Sequence, residues 1–400
     1  MHIKRQLIFL HIYNFLFSLR IADGVWVVFL LSRGFSLAQV GIAEGVFHIV
    51  SFLFEVPSGM LADLMGRKRT LALSSLFGIV SALSMAFSQN FVGVCVSMVF
   101  QALMYNLCSG TQEALTYDSL KAAGKEASYL KQNAWLMGIS RISSSLSGLL
   151  GGAAALLGFF PAYLLTAACS AVCGSAALAL AEPLVTETQR QRNQHPFTQF
   201  GPRMKRHFQE CWRFLRRNPR AAWMILAGSA AATPMYLTLM YLQQHLLDGG
   251  LPELFLGAAL MVPGLAGTLG MALAARSKGR LFPRAVICAL SCGAATLLAG
   301  ASFWPVALAG ASLAQLVFNL LDLRLDAALN HAFPSDQRAT LVSVSSMAYS
   351  LLMIVASPIS GSIGDISGTQ QALWSLGLGL ILLTAAGAAV YRFIFYKRNI

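Results

Sequence analysis

The chain has 400 residues, of which 56% are hydrophobic and only 11% are charged, and its mean hydropathy is +0.63. This composition excludes one or two water-soluble domains and predicts an all-α polytopic membrane protein. A formal net charge of +13 would suggest a nucleic-acid partner in a soluble chain. Here the cations lie in loops on one side of the predicted membrane, so we expect no nucleic-acid partner.

Twelve apolar runs follow one another along the chain, and each is long enough to cross a bilayer as a helix. They cover about residues 6 to 31, 38 to 61, 70 to 88, 91 to 117, 133 to 157, 161 to 181, 221 to 247, 253 to 275, 284 to 302, 305 to 330, 339 to 364 and 370 to 391. A long polar segment separates the sixth run from the seventh. The sequence therefore predicts an N-terminal six-helix bundle at 1–182, a basic cytoplasmic linker at 183–220 and a C-terminal six-helix bundle at 221–400.

Lys and Arg are concentrated on one side of these twelve spans. The two termini and the alternate loops on their side carry 25 of the 29, whereas the opposite loops carry only Arg33. By the positive-inside rule both termini are predicted to be cytoplasmic, in a plasma (inner) membrane. Within the linker, basic and aromatic residues alternate between 203 and 217. This segment is either a helix that lies on the anionic inner leaflet or a solvated linker.

The second half of the chain repeats features of the first half at a nearly constant offset. Gly59-Met60 before a basic loop recurs as Gly270-Met271, an offset of 211, and Ala127-Ser128 recurs as Ala339-Thr340, an offset of 212. A shared offset indicates an internal duplication, which is typical of transporters built from two related bundles.

The loop between the second and third spans carries the most specific motif, Gly59-Met60-Leu61-Ala62-Asp63-Leu64-Met65-Gly66-Arg67-Lys68-Arg69. It closely resembles the G-x-L-a-D-x-x-G-R-K-x signature of the major facilitator superfamily (MFS) in residue type, spacing and location. The resemblance implies the 12-helix MFS fold, in which this loop is a cytoplasmic latch. We expect Asp63 to accept hydrogen bonds from a helix N-terminus, and Arg67 and Lys68 to lie at lipid phosphates. The predicted cytoplasmic gate comprises Glu55, Gly59, Asp63, Gly66, Arg67, Lys68, Asp118 and Arg338.

Other stretches, among them 34–41, 55–59 and 113–120, resemble a bacterial branch of 12-helix facilitators that includes drug and efflux permeases. Span five contains Ser147-Gly148-Leu149-Leu150-Gly151-Gly152, which is similar to the antiporter signature G-P-x-x-G-G. Gly148 stands where that signature has proline, and this departure weakens the efflux interpretation.

Ionisable side chains at membrane depth are unfavourable unless they face a cavity or a partner, so they are candidate functional residues. Six carboxylates lie within the predicted spans against three guanidinium groups. An acid left unpaired in a low-dielectric cavity is suited to carry a proton. The predicted substrate and proton pathway comprises Arg20, Asp23, Glu44, His48, Asn106, Glu113, Arg141, Asn319, Asp322 and Asp326.

For two pairs of these side chains the sequence leaves two interpretations open. Glu44 and His48 share one face of span two, where they form either a proton path or interhelical salt bridges. Arg20 and Asp23 lie one turn apart, and they either neutralise each other or bind the two ends of a charged solute.

The resemblance places spans one, four, seven and ten around the substrate. For Asp322 and Asp326, on span ten, gating contacts are an equal alternative. Glu113 and Arg141 are expected to form a structural ion pair.

Motifs for nucleotide, protease or esterase chemistry are missing, so ATP-driven transport and the common hydrolases are excluded. We expect no enzyme, no cofactor and no metal site. The first hypothesis is a monomeric, proton-coupled transporter that exports small amphipathic or drug-like compounds by antiport. The second is a proton symporter that imports a small polar or anionic metabolite. A non-transporting membrane enzyme or sensor is the third.

Overall fold

The structure is a computed structural model that describes residues 2–183, 200–276, 281–332 and 338–396. Fifteen α-helices account for most of these residues. They are α1 Ile3–Ser18, α2 Trp26–Ser32, α3 Leu37–Met65, α4 Arg67–Phe87, α5 Phe91–Cys108, α6 Thr111–Ala122, α7 Tyr129–Leu157, α8 Phe159–Ala179, α9 Phe200–Arg217, α10 Pro219–Asp248, α11 Leu256–Arg276, α12 Leu281–Ala299, α13 Trp304–Ala332, α14 Arg338–Ser367 and α15 Thr369–Tyr396. Short 3-10 segments cover Asp23–Val25, Glu126–Ser128 and Glu253–Phe255.

Eleven segments of the described chain are long and apolar enough to cross a membrane, and they match eleven of the twelve predicted spans. The remaining predicted span corresponds to α7, which is 29 residues long. Its apolar sequence is interrupted by Arg141 and by five serines between residues 140 and 147, which lower its hydropathy. Three of those serines, Ser140, Ser143 and Ser147, form hydrogen bonds with α1.

Two predicted spans are interrupted rather than continuous. The first span divides into α1 and α2, and the chain between them makes a turn followed by a 3-10 segment. The fourth span divides into α5 and α6 at Gly110, whose φ of 72° lies in the left-handed region that favours glycine. An interruption at membrane depth is tolerated only where other groups satisfy the freed backbone atoms.

The helices form two compact units. The first comprises Met1–Gly24 and Val46–Gln209, and the second comprises Val25–Gly45 and Glu210–Ile400. The six-plus-six division of the sequence stays a prediction.

The core of the first unit lies where α1, α4, α6 and α8 meet. Leu10 and Tyr13 of α1 are fully buried against Leu71 of α4, Leu115 of α6 and Cys173 of α8. The Tyr13 hydroxyl donates to the Leu71 carbonyl oxygen at 3.4 Å, so the phenol is satisfied within the apolar core.

The core of the second unit lies on α13, which packs against α10, α11 and α12. Ala314 and Leu321 of α13 contact Met235 of α10 and Cys292 of α12 in one buried cluster. Small residues at these contacts let the helices approach closely, as is common in membrane proteins.

The first turns of α3 pack directly on α14, within the second unit. A Cβ atom at Gly41 would lie 2.4 Å from the Ser357 carbonyl oxygen, so only glycine allows this approach. The Ser357 hydroxyl donates to the Gly41 carbonyl at 2.8 Å. Asp365 accepts hydrogen bonds from the backbone N–H groups of Leu37 and Ala38, at 2.6 and 3.0 Å. The carboxylate thereby satisfies two free donors at the positive end of α3.

We predict that Gly41→Ala destabilises the protein, because the added methyl group meets backbone atoms of α14 that cannot move independently. Overpacking of this kind costs about 1–3 kcal/mol. Thermal unfolding of the detergent-solubilised protein measures the effect.

Gly379→Ala in α15 is the matched control, since a Cβ atom there meets nothing within 4 Å. It should leave the unfolding temperature unchanged or raise it slightly, because alanine favours a helix interior over glycine. Equal losses in the two variants would contradict close packing at Gly41.

Candidate functional site

The interruption of the first span holds a buried ion pair. The Arg20 side chain is 8% exposed, and its Nε and Nη2 atoms both donate to the carboxylate of Asp23. Gln101 of α5 adds a hydrogen bond to the same carboxylate at 3.3 Å. Two parallel charge-assisted hydrogen bonds are the strongest geometry available to an arginine and an acid. In this structure the two predicted site residues therefore neutralise each other.

The two charges of this pair differ in exposure. The Arg20 Nη1 atom lies 2.8 Å from the Met104 sulfur, and the guanidinium carbon lies 5.3 Å from the centroid of the Tyr105 ring. Sulfur, aromatic face and carboxylate thus surround the cation. The Asp23 side chain is 30% exposed, so the accessible charge of the pair is the carboxylate.

Aromatic rings extend from this ion pair. Tyr105 packs edge-on against Phe17 of α1 at 5.8 Å and against Phe47 of α3 at 6.0 Å, measured between ring centroids. Tyr13 stacks on Phe17 at 5.8 Å, and the His48 ring contacts Phe47 at 5.1 Å. An ion pair whose arginine lies over an aromatic cluster offers binding groups for a molecule with a charged end and an apolar body.

Serines of α7 satisfy the backbone at the end of α1. Ser143 donates to the Phe15 carbonyl at 2.6 Å, and Ser147 donates to the Ser18 carbonyl at 3.3 Å. Ser140 and Ser18 share a hydroxyl hydrogen bond of 2.7 Å. The last carbonyls of a helix lack the usual helical partners, so Ser143 supplies a donor to Phe15 where water is scarce. The Ser18 carbonyl also accepts from the backbone N–H of Arg20 at 3.1 Å, and Ser147 adds a second donor there. The polar sequence of α7 follows from the interruption of span one.

We predict that replacing both Ser143 and Ser147 by Ala destabilises the protein by about 1–3 kcal/mol, because the Phe15 carbonyl loses its hydroxyl donor and the Ser18 carbonyl loses one of its two donors. Thermal unfolding in detergent measures the loss.

Ser145→Ala is the control on the same helix, since its hydroxyl bonds only to the Arg141 carbonyl of α7 itself. This change should have little effect. A control variant as unstable as the double variant would show that α7 tolerates no serine loss, whatever its partner.

Other predicted pathway residues have contacts of their own. Glu44 and His48 are buried one turn apart on α3. Asn106 is buried as well, and its amide exchanges hydrogen bonds of 2.7 and 2.8 Å with the carbonyl and hydroxyl of Ser51. These bonds tie α5 to α3, so the Asn106 side chain is engaged within the protein. Asn319 donates to the carbonyl of Gln315 on its own helix at 2.8 Å.

The expected ion pair between Glu113 and Arg141 is wrong. Both side chains are exposed, and no ion pair joins them in the part of the chain that the structure describes. The physical reason is the interruption at Gly110, since Glu113 lies in the first turn of α6 and does not continue the face of α5. Asp322 and Asp326 are also exposed, on α13. Their substrate or gating roles stay predictions.

The predicted gate motif forms a network inside the first unit. Gly66 precedes α4 with a φ of 93°, a conformation that requires glycine. The Arg67 side chain pairs with Asp118 and donates to the Ala114 carbonyl at 2.6 Å. Helix α6 thus supplies an acid and a carbonyl to the Arg67 side chain, and contact of Arg67 with lipid phosphates stays a prediction.

Glu182 caps the N-terminus of α4, and the expected contact of Asp63 with a helix N-terminus stays a prediction. The two carboxylate oxygens of Glu182 accept hydrogen bonds from the backbone N–H groups of Arg67 and Lys68, at 2.9 and 2.7 Å. Asp63 and Gly59 are exposed, and Glu55 is half-buried. The side chain of Arg338 lies outside the described residues.

Four residues of these sites were missed by the sequence interpretation: Gln101, Ser143, Glu182 and Asp365. Glu182 and Asp365 lie at the ends of predicted spans, where acidic residues are common and do not indicate a specific role. Serines and glutamines carry no charge, so a search for charges at membrane depth passed over them.

We predict that Glu182→Ala lowers stability by about 1 kcal/mol, because the first two N–H groups of α4 lose a charged acceptor. A shift of the thermal unfolding midpoint tests this.

The comparison is Glu126→Ala, which removes an exposed acid 3.8 Å from Lys121. Exposed ion pairs contribute little, so this midpoint should not move. If Glu182→Ala behaved like Glu126→Ala, Glu182 would have no stabilising role at α4.

The sequence profile described as the Major Facilitator Superfamily matches residues 14–321. The chain belongs to the Major Facilitator Superfamily. Members of this superfamily are membrane transporters and not enzymes, so the protein is an integral membrane transporter. The predictions of an all-α membrane fold and of this superfamily are confirmed.

A curated relative is the uncharacterized MFS-type transporter YxaM of Bacillus subtilis (strain 168), which is 25% identical over 360 residues, 88% of this chain and 87% of that protein. The crystal structure of the nucleoside transporter NupG is similar with a TM-score of 0.74 and 17% identity, covering 98% of this chain and 100% of that one. A D-xylose-proton symporter gives a TM-score of 0.76 at 12% identity, covering 97% of each chain. These similarities show the MFS fold.

Proposed function

We propose that the protein is a proton-coupled secondary transporter that works by alternating access and exports small amphipathic compounds in exchange for protons. The observation that carries this proposal is the Arg20–Asp23 pair at the interruption of span one. Interrupted helices in transporters place polar groups and free backbone atoms beside the substrate.

The unequal exposure of the pair favours a cationic substrate. Arg20 is enclosed and lies over the Tyr105 ring, which contacts Phe17, whereas the Asp23 carboxylate of the same ion pair is accessible. A cation or a proton can bind the carboxylate, and an apolar body can contact the rings. Competition between proton and cation for one acid is the simplest basis for antiport.

Glu44 and His48 are proposed as further proton-carrying groups. Both are buried and one helical turn apart, and an imidazole and a carboxylate are both groups that can exchange a proton. Glu44 lies within electrostatic range of the hydroxyl groups of Tyr241 and Tyr349.

Proton symport of a small polar metabolite is the second candidate. It is favoured by the polar groups that converge on Asp23, namely Arg20 and Gln101, which suit hydroxyl or anionic groups of a solute. The structurally similar proteins named above include a nucleoside transporter and a D-xylose-proton symporter.

We further propose a monomer in the plasma membrane, with both termini cytoplasmic and the basic face on anionic lipids. Helix α9 supports this orientation. Cys211 and Phe214 on one side of α9 are buried in a cluster with Ile225, whereas Trp212 is 58% exposed beneath the Arg216 guanidinium at 5.0 Å. An exposed tryptophan flanked by arginines is typical of a helix at a membrane surface.

Proteoliposomes with an imposed pH gradient test the function, with the membrane potential held at zero by potassium and valinomycin. Ethidium serves as the amphipathic probe because its charge does not change with pH, and uridine and D-xylose serve as polar probes. Accumulation of ethidium on the acidic side supports antiport. Accumulation of a polar probe on the alkaline side supports symport instead, and no gradient-driven flux of any probe contradicts both.

Asp23→Asn should abolish the gradient-driven flux, a loss of about tenfold or more, because the amide cannot exchange a proton or hold a cation. The flux is compared with that of Glu126→Gln, whose acid is exposed outside the site. Both variants are first shown to reconstitute as folded protein. Undiminished flux in Asp23→Asn would remove this acid from coupling.

A further inference from the structure

A buried histidine lies where three segments of the second unit meet. His245, in the last turn of α10, is 4% exposed. Its Nε2 atom lies 3.0 Å from the carbonyl oxygen of Ala301, in the turn between α12 and α13. Its Nδ1 atom lies 2.9 Å from the hydroxyl oxygen of Thr369, the first residue of α15. The imidazole therefore connects the end of α10 with this turn and with α15.

The hydrogen bonds continue from the imidazole to an exposed carboxylate. The Thr369 hydroxyl oxygen lies 3.1 Å from Oδ2 of Asp248, and the Gln244 amide donates to Oδ1 of the same carboxylate at 2.7 Å. Thr369 is buried, whereas Asp248 is exposed. A buried hydroxyl group thus links a carboxylate at the surface with a buried imidazole.

This chain of contacts lacks one hydrogen when the imidazole is neutral. A carbonyl oxygen only accepts, so the N–H group of a neutral ring must be at Nε2, where it donates to Ala301. Nδ1 and the Asp248 carboxylate are then both acceptors, and the Thr369 hydroxyl group between them has a single hydrogen to donate. One additional proton on Nδ1 completes the chain, because the ring then donates to Thr369 and Thr369 donates to Asp248.

Asp248 is the acid whose charge acts on the His245 ring. The first turn of α15 and the turn after α12 contain no ionisable side chain. Asp365 of α14 is engaged by the N-terminus of α3, and the Arg33 guanidinium, after α2, lies over an aromatic ring of its own helix. Glu253, which follows α10, is exposed. A positive charge on His245 is therefore balanced through Thr369 by Asp248.

All these groups lie at one end of the second unit. Helix α10 begins next to α9, and α15 ends close to the C-terminus, so the last turn of α10 and the first turn of α15 lie at the opposite end. The proposed topology, with a cytoplasmic C-terminus, assigns this end to the outside.

We propose that His245, Thr369 and Asp248 form a proton-binding site at this outer end, which takes up one proton when the outside medium becomes acidic. A proton that binds Asp248 is donated to the Thr369 oxygen while the original Thr369 hydrogen moves to Nδ1. The ring becomes an imidazolium, and the carboxylate keeps its negative charge. The bound proton thereby adds a charge-assisted link between α10 and α15. The site needs no particular substrate, and it depends on the proposed topology only for the side from which the proton comes.

Nuclear magnetic resonance of the full-length protein in liposomes tests the site, with isotopically labelled histidine nitrogen atoms. The His245 signals are identified by their proximity to labelled threonine in the wild-type protein and by their absence from His245→Asn. Between about pH 8 and about pH 5, Nε2 should keep its hydrogen while Nδ1 gains one. No transport is measured, so the result is independent of the proposed function.

Asp248→Asn is the decisive variant. The asparagine amide can donate to Thr369, which then donates to Nδ1, so the chain is complete without an additional proton. The pH at which Nδ1 gains its hydrogen should therefore fall by about one unit. Glu253→Gln removes an exposed acid close to the end of α10 and should leave the titration unchanged.

Three results would overturn the proposal. They are an Nδ1 atom that gains no hydrogen in the wild-type protein, a neutral ring whose hydrogen is on Nδ1 instead of Nε2, and a titration in Asp248→Asn identical to that of the wild-type protein. The first two need no variant, so the proposal is testable even if a substitution prevents folding.

Discussion

Satisfaction of backbone hydrogen bonds in a low-dielectric interior is the constraint on which the candidate site depends. A helix that stops within a membrane leaves carbonyl groups without donors, and each unsatisfied group costs several kcal/mol in hydrocarbon. The first helix of span one ends at Ser18, where Ser143 of α7 donates to the Phe15 carbonyl and Ser147 adds to the Arg20 N–H as a donor to the Ser18 carbonyl. The serines make α7 a poor match to a purely apolar span, and they make the turn that carries Arg20 and Asp23 possible.

A buried ion pair is weak evidence for stability, because the desolvation of two charges offsets much of their attraction. The Arg20–Asp23 pair is better understood as a group that responds to ligands. In the proposed function, whatever binds Asp23 competes with the guanidinium, which also lies over Tyr105. Movement of the guanidinium would then disturb the ring contacts of Tyr105 with Phe17 and Phe47. Binding at Asp23 would thereby change contacts among α1, α3 and α5.

Hydropathy was sufficient to predict the spans, and the loop motif was sufficient to predict the superfamily. Each of these signals depends only on residues that are consecutive in the sequence. The interruptions were not predictable in this way, because the turns near Ala22 and Gly110 are only a few residues long, and the apolar residues on either side keep the mean hydropathy of each span high. The wrong pairing of Glu113 with Arg141 follows from that gap. The partners of α4 and α3, Glu182 and Asp365, are distant in sequence and need the folded chain to be recognised.

Glu182 and Asp365 use the same chemistry in the two units. Each carboxylate accepts from the first two N–H groups of a helix, α4 in the first unit and α3 in the second. Such a contact contributes only about 1 kcal/mol, because water can replace the carboxylate when the helix end becomes exposed. When a buried apolar contact of similar area is exposed, water cannot replace the lost contact in this way. Helix ends held by carboxylates can therefore separate and close again with small changes in free energy, which suits a transporter that must change conformation in every cycle.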